Sequence, residues 1–259
     1  MKYTVFDPFN DFDINGYLRN YRKDKNPQII KHIEHQFFEA NVDRALDFLA
    51  SCHDISYKDF LEVHRILFLD YYPWAGQDRA AIASHCAIRK GEVLFSHPQS
   101  AQLAVEQGLR MGKDKTIMNK KPGEIMGLFA YGHSFLDGNG RTMLLVHIEL
   151  CHRAGFFIDW SKTDKSDYLT ALSQEIEMPG KGTLDSYLLQ FKSPKMNRDD
   201  LRSAISSING LNGLDKNNQV DGSISDPAIA EKYKKFEQQR SYTLNSDEPK
   251  PSSRRKRMR

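Results

Sequence analysis

His133-Ser134-Phe135-Leu136-Asp137-Gly138-Asn139-Gly140-Arg141 is the stretch on which the reading of this chain turns. Just upstream, Lys121-Pro122-Gly123-Glu124 has the form of a helix start, with Pro122 at the first helical position and Glu124 in the first turn. Ile125, Leu128, Phe129 and Gly132 follow at three- and four-residue spacing, so His133 falls at the end of a helix with one buried stripe. Downstream, apolar residues from Met143 to Cys151 lie on several sides of a second helix running from Arg141 to Ala154, and Gly155 supplies its stop. A helix of that character lies at the centre of its domain.

The nine residues between these helices combine three chemical parts. Imidazole titrates near neutrality, so His133 can take a proton from a hydroxyl, its ring projecting into a cleft. Gly138-Asn139-Gly140 lies at a helix N-terminus, where unpaired N–H groups and the helix dipole favour an anion. Glycine at positions 138 and 140 allows close backbone approach to a phosphate. Asp137 can hold Mg2+, and Arg141 offers a planar fork to a second phosphate. A calcium loop would need Gly and Glu where this chain has Thr142 and Ile148, and no Gly-Lys-Ser or Gly-Lys-Thr marks a Walker loop.

Taken jointly, these residues resemble the Fic family, whose signature runs His-Pro-Phe-x-(Asp or Glu)-Gly-Asn-Gly-Arg-x-x-Arg. Tyr72-Pro73-Trp74-Ala75-Gly76 resembles the segment ahead of that family's β-hairpin, and Gly16-Tyr17-Leu18-Arg19-Asn20 resembles the opening of many members. The similarity extends over roughly residues 10–193. It implies a mainly α fold with a central buried helix and one small β-hairpin flap, and transfer of AMP from ATP to a side-chain hydroxyl of another protein. By the same resemblance His133 is the general base, Phe135 anchors the loop and Asp137 binds Mg2+. Gly138, Asn139 and Gly140 form the anion hole, and Arg141 grips the β-phosphate.

Two departures stand in the motif: Ser134 replaces the usual proline, and Leu144 replaces the second arginine, which would reach the γ-phosphate. The related Doc toxins also lack that arginine and transfer the γ-phosphate of ATP, as kinases do. Their loop has Ala and Lys where this chain has Gly138 and Gly140, so AMP transfer is the first expectation. Doc-like phosphorylation, transfer of another nucleotide or of phosphocholine, and a non-catalytic partner-binding module are the alternatives. Ser173 to Glu177 has the spacing of the family's inhibitory motif, but Met178 follows and the segment sits in a core helix, so the match is taken as coincidence.

Ala81 to Ile88 and Val93 to Phe95 are short apolar runs around Arg89-Lys90-Gly91-Glu92, the pattern of a β-hairpin. It resembles the family's flap, which holds a target by strand addition, and Ile88, Arg89, Lys90, Gly91, Glu92 and Val93 are its target-binding residues by that resemblance. Further helices are expected over residues 29–50, 57–69, 98–111, 167–176 and 184–191, with short ones over 202–211 and 227–240.

The 259 residues suffice for one sizeable core. The expected organisation is a Fic domain over 1–193 and a polar, partly helical or disordered extension over 194–259. Residues 195–259 carry a net charge of +5 and the rest −2, so the positive balance belongs to the extension. Residues 209–226 have a linker composition, and Arg254-Arg255-Lys256-Arg257-Met258-Arg259 is a basic end. No run of eighteen apolar residues predicts a membrane span, and the start is not a secretory signal. Cys52, Cys86 and Cys151, an odd set among apolar neighbours, suit a reducing compartment. The expected setting is the bacterial cytoplasm, with export into a target cell as a toxin or effector; the partners are then the target protein and an antitoxin or secretion receptor. Nucleic acid is not an expected partner, because the chain carries no recognition fold for it.

Overall fold

The computed structural model describes residues 20–208, 210–211 and 219–245. The chain opens with α1 (Pro27–Ser51), started by the Asn26 side chain, which accepts from the N–H groups of Gln28 and Ile29. α2 (Tyr57–Phe68) begins with a reciprocal Ser56/Asp59 capping box. A short α3 (Arg79–Ile82) precedes β1 (Cys86–Lys90) and β2 (Val93–Leu94). Then come α4 (Ala101–Lys113), α5 (Lys115–Lys120), α6 (Pro122–Gly132) and α7 (Asn139–Arg153). β3 (Phe156–Ile158), α8 (Lys165–Glu177), α9 (Thr183–Leu188) and β4 (Lys192–Pro194) follow, then α10 (Arg198–Ser206), β5 (Gln219–Ser223) and α11 (Pro227–Asn245).

α7 is the axis of the molecule. Thirteen of its 15 residues are buried, and α1, α2, α4, α5, α6 and β3 pack around it. Its apolar residues on several sides require such a jacket. The fold is mainly helical, as the motif's resemblance implied. Glu149, within α7, is fully buried and is neutralised by Arg153 at 2.7 Å and Arg198 at 2.8 Å. Burial alone would raise its carboxyl, but the two guanidinium groups hold it below the usual carboxylate range.

Arg198 belongs to α10, whose Leu201 and Ile205 lie in the main core. β4 pairs with β3 across Ile158↔Lys192, Phe157↔Ser193 and Phe156↔Pro194, so the 193/194 division drawn from composition falls inside a strand. The expected helix over 202–211 is displaced toward the N-terminus, to Arg198–Ser206, which puts its acidic residues Asp199 and Asp200 in the first turn. The linker reading of 209–226 misses β5, which gives the hairpin a third strand in the order β2-β1-β5. Arg254 to Arg259 and Gly16 to Arg19 lie outside the described residues.

Candidate active site

α6 ends on His133, a non-glycine residue in the left-handed region at φ 42° and ψ 55°. That conformation costs about 1 kcal/mol and persists only where the surroundings impose it. Arg79 imposes it. Its fully buried guanidinium donates from Nε to the His133 carbonyl at 2.6 Å, and from Nη2 to those of Gly132 at 3.2 Å and Ser96 at 2.9 Å. The Arg79 N–H also donates to the Ser134 carbonyl at 2.8 Å. Burial lowers the Arg79 pKa to about 10, still high enough to keep it charged at neutral pH. The imidazole of His133 lies flat against Phe95, with centroids 3.6 Å apart and rings 3° from parallel. The expected open cleft is therefore narrow: His133 is 7% exposed.

Asn139 clamps the loop. Its side chain accepts from Phe135 N at 2.9 Å and donates to Phe135 O at 2.7 Å, while its amide nitrogen lies 3.3 Å from His133 Nε2. An amide N–H directed at Nε2 makes that nitrogen the lone-pair bearer, the one suited to accept a proton. Phe135 is fully buried and stacks on His64 at 3.8 Å and on Phe60 at 5.8 Å. Gly138 starts α7 at φ 75°, and a Cβ there would meet Phe68 at 2.6 Å. A Cβ on Gly140 would meet nothing within 4 Å. No side chain caps α7, which leaves its first N–H groups available to an anion.

The charged residues of the loop meet α1. Asp137 accepts from Lys31 Nζ at 2.8 Å and from Gly138 N at 2.8 Å. Burial pushes the Asp137 carboxyl up, but the charges of Lys31 and Lys90 and the Gly138 N–H outweigh it and leave it below its ordinary value. Arg141 pairs with Glu34, which is fully buried and also accepts from the Tyr72 hydroxyl. The Arg141 guanidinium lies over the Phe68 ring at 5.0 Å. A single helix thus sets a cation against the loop's carboxylate and a carboxylate against its arginine. Leu144, one turn beyond Arg141, is buried in the main core.

His64 supports the same loop from behind. Its Nδ1 accepts from Gly76 N at 2.9 Å, so Nε2 carries the proton and donates to the Asp137 carbonyl at 3.0 Å. Burial depresses its pKa to about 3, and it is neutral through the physiological range.

A buried central helix and a glycine loop at its N-terminus, with an imidazole against that end, now stand together. The sequence model of the Fic/DOC family matches residues 54–151. These residues form a Fic/DOC family domain. The chain is 34% identical over 119 residues to the protein adenylyltransferase VbhT of Bartonella schoenbuchensis, a stretch covering 42% of this chain and 24% of that protein. With the probable protein adenylyltransferase y4lH of Sinorhizobium fredii it shares 27% identity over 164 residues, which is 60% of this chain and 81% of that one. Among solved structures, BepC of Bartonella tribocorum with bound AMPPNP superposes with a TM-score of 0.57 at 18% identity, covering 69% of this chain and 93% of that chain. A Fic domain from Bartonella quintana with bound ADP gives the same score at 20% identity, covering 70% and 92%.

In this Fic fold the flap is smaller than the sequence suggested. Residues 81–82 end the short helix α3, and the strand starts only at Cys86. Lys90 pairs with Val93, leaving Gly91 and Glu92 as the turn, with Gly91 at φ 61° and its carbonyl accepting from Arg89 at 2.7 Å. Of the flap residues, Lys90 acts on the loop through its charge on Asp137. Lys31, Glu34, Arg79, Phe95 and His64 were not singled out from the sequence. All five lie far along the chain from the motif, and nothing in their local pattern names the partner.

Proposed function

We propose that this protein transfers AMP from ATP to a side-chain hydroxyl of a target protein. The observation that carries the reading is the Asn139 clamp, which sets His133 Nε2 against the uncapped N-terminus of α7. The acceptor O–H gives its proton to His133 as its oxygen bonds to the α-phosphorus. The bond from that phosphorus to the bridging oxygen breaks, and pyrophosphate leaves. The N–H groups of Asn139 and Gly140 hold phosphate oxygens, that of Gly138 joining them on leaving the Asp137 carboxylate, and the open space at Gly140 admits them. Arg141 reaches a phosphate only by exchanging Glu34 for it. A divalent ion fits at Asp137, where the Lys31 ammonium already occupies a cation position. Such an ion, when bound, would neutralise charge on the phosphates. His133 and the α7 N-terminus supply positioning and fixed dipoles, which contribute most of the acceleration in this kind of transfer.

The names of VbhT and y4lH support the activity, and the nucleotide-bound neighbours support a nucleotide site. Translocation into a target cell is read from the VirB-translocated Bartonella proteins of the same fold. Among the described residues no helix is long and apolar enough to cross a membrane. The test uses ATP labelled at the α- or the γ-phosphate, with Mg2+ and a bacterial or host lysate. The expected result is protein labelling from the α position alone, abolished by His133→Ala. Labelling from the γ position alone would replace this reading with phosphorylation, and labelling by His133→Ala equal to wild type would overturn it.

A further inference from the structure

The outer edge of β1 is already taken, and by this chain. β5 pairs antiparallel along it, with Cys86↔Ser223, Ala87↔Gly222, Ile88↔Val220 and Arg89↔Gln219. Asp221 sits at a register shift between these pairs, and its carboxylate reaches Arg89 Nε at 3.0 Å and Lys232 Nζ at 3.2 Å. On the other side of β1 lies β2, and α8 lies against β2. A strand can therefore join the flap at β1 only where β5 now stands.

The unit that brings β5 there is set apart from the main core. Ile229 and Tyr233 of α11 pack on Ala87 and Leu94 in a separate cluster of four buried residues, with Ile224 and Phe236 at its margin. Polar ties complete the attachment: Ser100 Oγ to Glu237 at 2.8 Å, Ile224 N to His85 O at 3.0 Å, and Arg240 to the Ile176 carbonyl and the Tyr131 ring. A small satellite cluster opens at lower free energy than the core it rests on.

We infer that residues 219–245 are a strap whose strand stands in for the target protein, and that a target docks by displacing it with an extended segment carrying an acidic side chain for Arg89. The inference rests on the reading of this chain as a protein-modifying transferase, and adds to it the occupant of the docking edge and the charge the docking segment carries. The backbone of the docked segment lies about two strand spacings, roughly 9–10 Å, from the backbone of Phe95, whose ring stacks on His133. The docking segment thus holds the target, while the acceptor hydroxyl comes from a residue further along or from a long side chain.

Two experiments on the full chain test it. Ile229→Asp removes the apolar anchor of α11 and vacates the edge. A labelled synthetic peptide of sequence Gln219–Ser225 then binds this variant in a fluorescence anisotropy titration at least tenfold more tightly than it binds wild type. The same peptide with Asp221→Lys binds at least fivefold more weakly. Equal peptide binding by variant and wild type overturns the strap, and equal binding of the two peptides overturns the acidic preference. In the second experiment Ser223→Cys, in a Cys52→Ser background, places a thiol opposite Cys86, at a spacing that a cross-strand disulfide can bridge. Oxidation is expected to reduce labelling of lysate proteins from α-labelled ATP at least tenfold, with recovery on adding dithiothreitol. Undiminished labelling by the oxidised, mass-verified disulfide form overturns the proposal. If wild type labels nothing, the transferase reading fails, and the peptide titration alone still decides whether the edge is a docking site.

Discussion

The loop after His133 and the flap are both short irregular segments beside one site, yet they are held in opposite ways. The loop is fixed from within by groups that are fully buried: Arg79 on its carbonyls, Glu34 on Arg141 and Phe135 between two rings. The flap is fixed from outside, by a strand and a helix resting on a cluster of four buried residues. Disturbing the first perturbs the whole fold, because its supports are the core's own. Disturbing the second leaves the core intact. Under the proposed function, a site that holds phosphate geometry while admitting a target protein is well served by that division.

The largest effect that separates the two regions is expected from Glu34→Ala. It leaves the buried Arg141 guanidinium without its carboxylate, and breaking one side of a buried pair costs about 3–5 kcal/mol. Urea unfolding should show the midpoint falling by the corresponding amount with an unchanged slope. A loss below about 1 kcal/mol would place the pair among weakly contributing surface ion pairs and remove the contrast with the flap.

Part of this contrast was legible in the sequence and part was not. The central helix announced itself because Met143, Leu144, Val146, Ile148 and Leu150 lie on several of its sides, and glycine on both sides of Asn139 marked the loop between the two helices. What escaped was every support supplied from a distance. Lys31 and Asp137 are 106 residues apart, and α1 reads as an ordinary amphipathic helix whose lysine and glutamate belong on a solvated face. β5 was invisible for a different reason: Gln219-Val220-Asp221-Gly222 contains one β-branched residue and has the composition of a linker. Its strand form comes from the vacant edge of β1, a tertiary cause outweighing a local preference.

The next effect in size is a pH dependence of the loop's support. His64 stays neutral in the fold down to about pH 3, because burial disfavours its charged form, whereas an unfolded histidine takes a proton near pH 6.5. The unfolded state therefore binds more protons across that window, and stability falls as pH drops from 6.5 toward 3. The slope approaches about 1.4 kcal/mol per pH unit where the unfolded histidine is fully charged. His64→Gln should flatten the unfolding free energy between pH 6 and 4 relative to wild type. Parallel curves for the two proteins would show that His64 is not the group responsible.

A smaller and more local change is expected on the flap side. Tyr233→Ala removes one of the four side chains of the satellite cluster, a loss of about 2–3 kcal/mol confined to the strap. Hydrogen exchange should quicken at the amides of β1 and β5 by a factor of ten or more, while those of α7 keep their wild-type rates. Equal acceleration in α7 would mean that strap and core open together, and the distinction between the two regions would fail.

The smallest effect concerns Lys31, where the loop's own balance of charge is at stake. Lys31→Gln removes the ammonium from Asp137 but leaves an amide able to donate, so stability should change by no more than about 1 kcal/mol. Its consequence lies in binding. With Lys31 present, an incoming divalent ion has to share or displace a cation at 2.8 Å from the carboxylate. Titration of the full chain with Mn2+ in the presence of ATP should show tighter ion binding by the variant than by wild type, the difference shrinking as salt is raised. Weaker binding by the variant would reverse the argument: Lys31 would then hold the triphosphate itself, and α1 would belong to the nucleotide site instead of standing in its way.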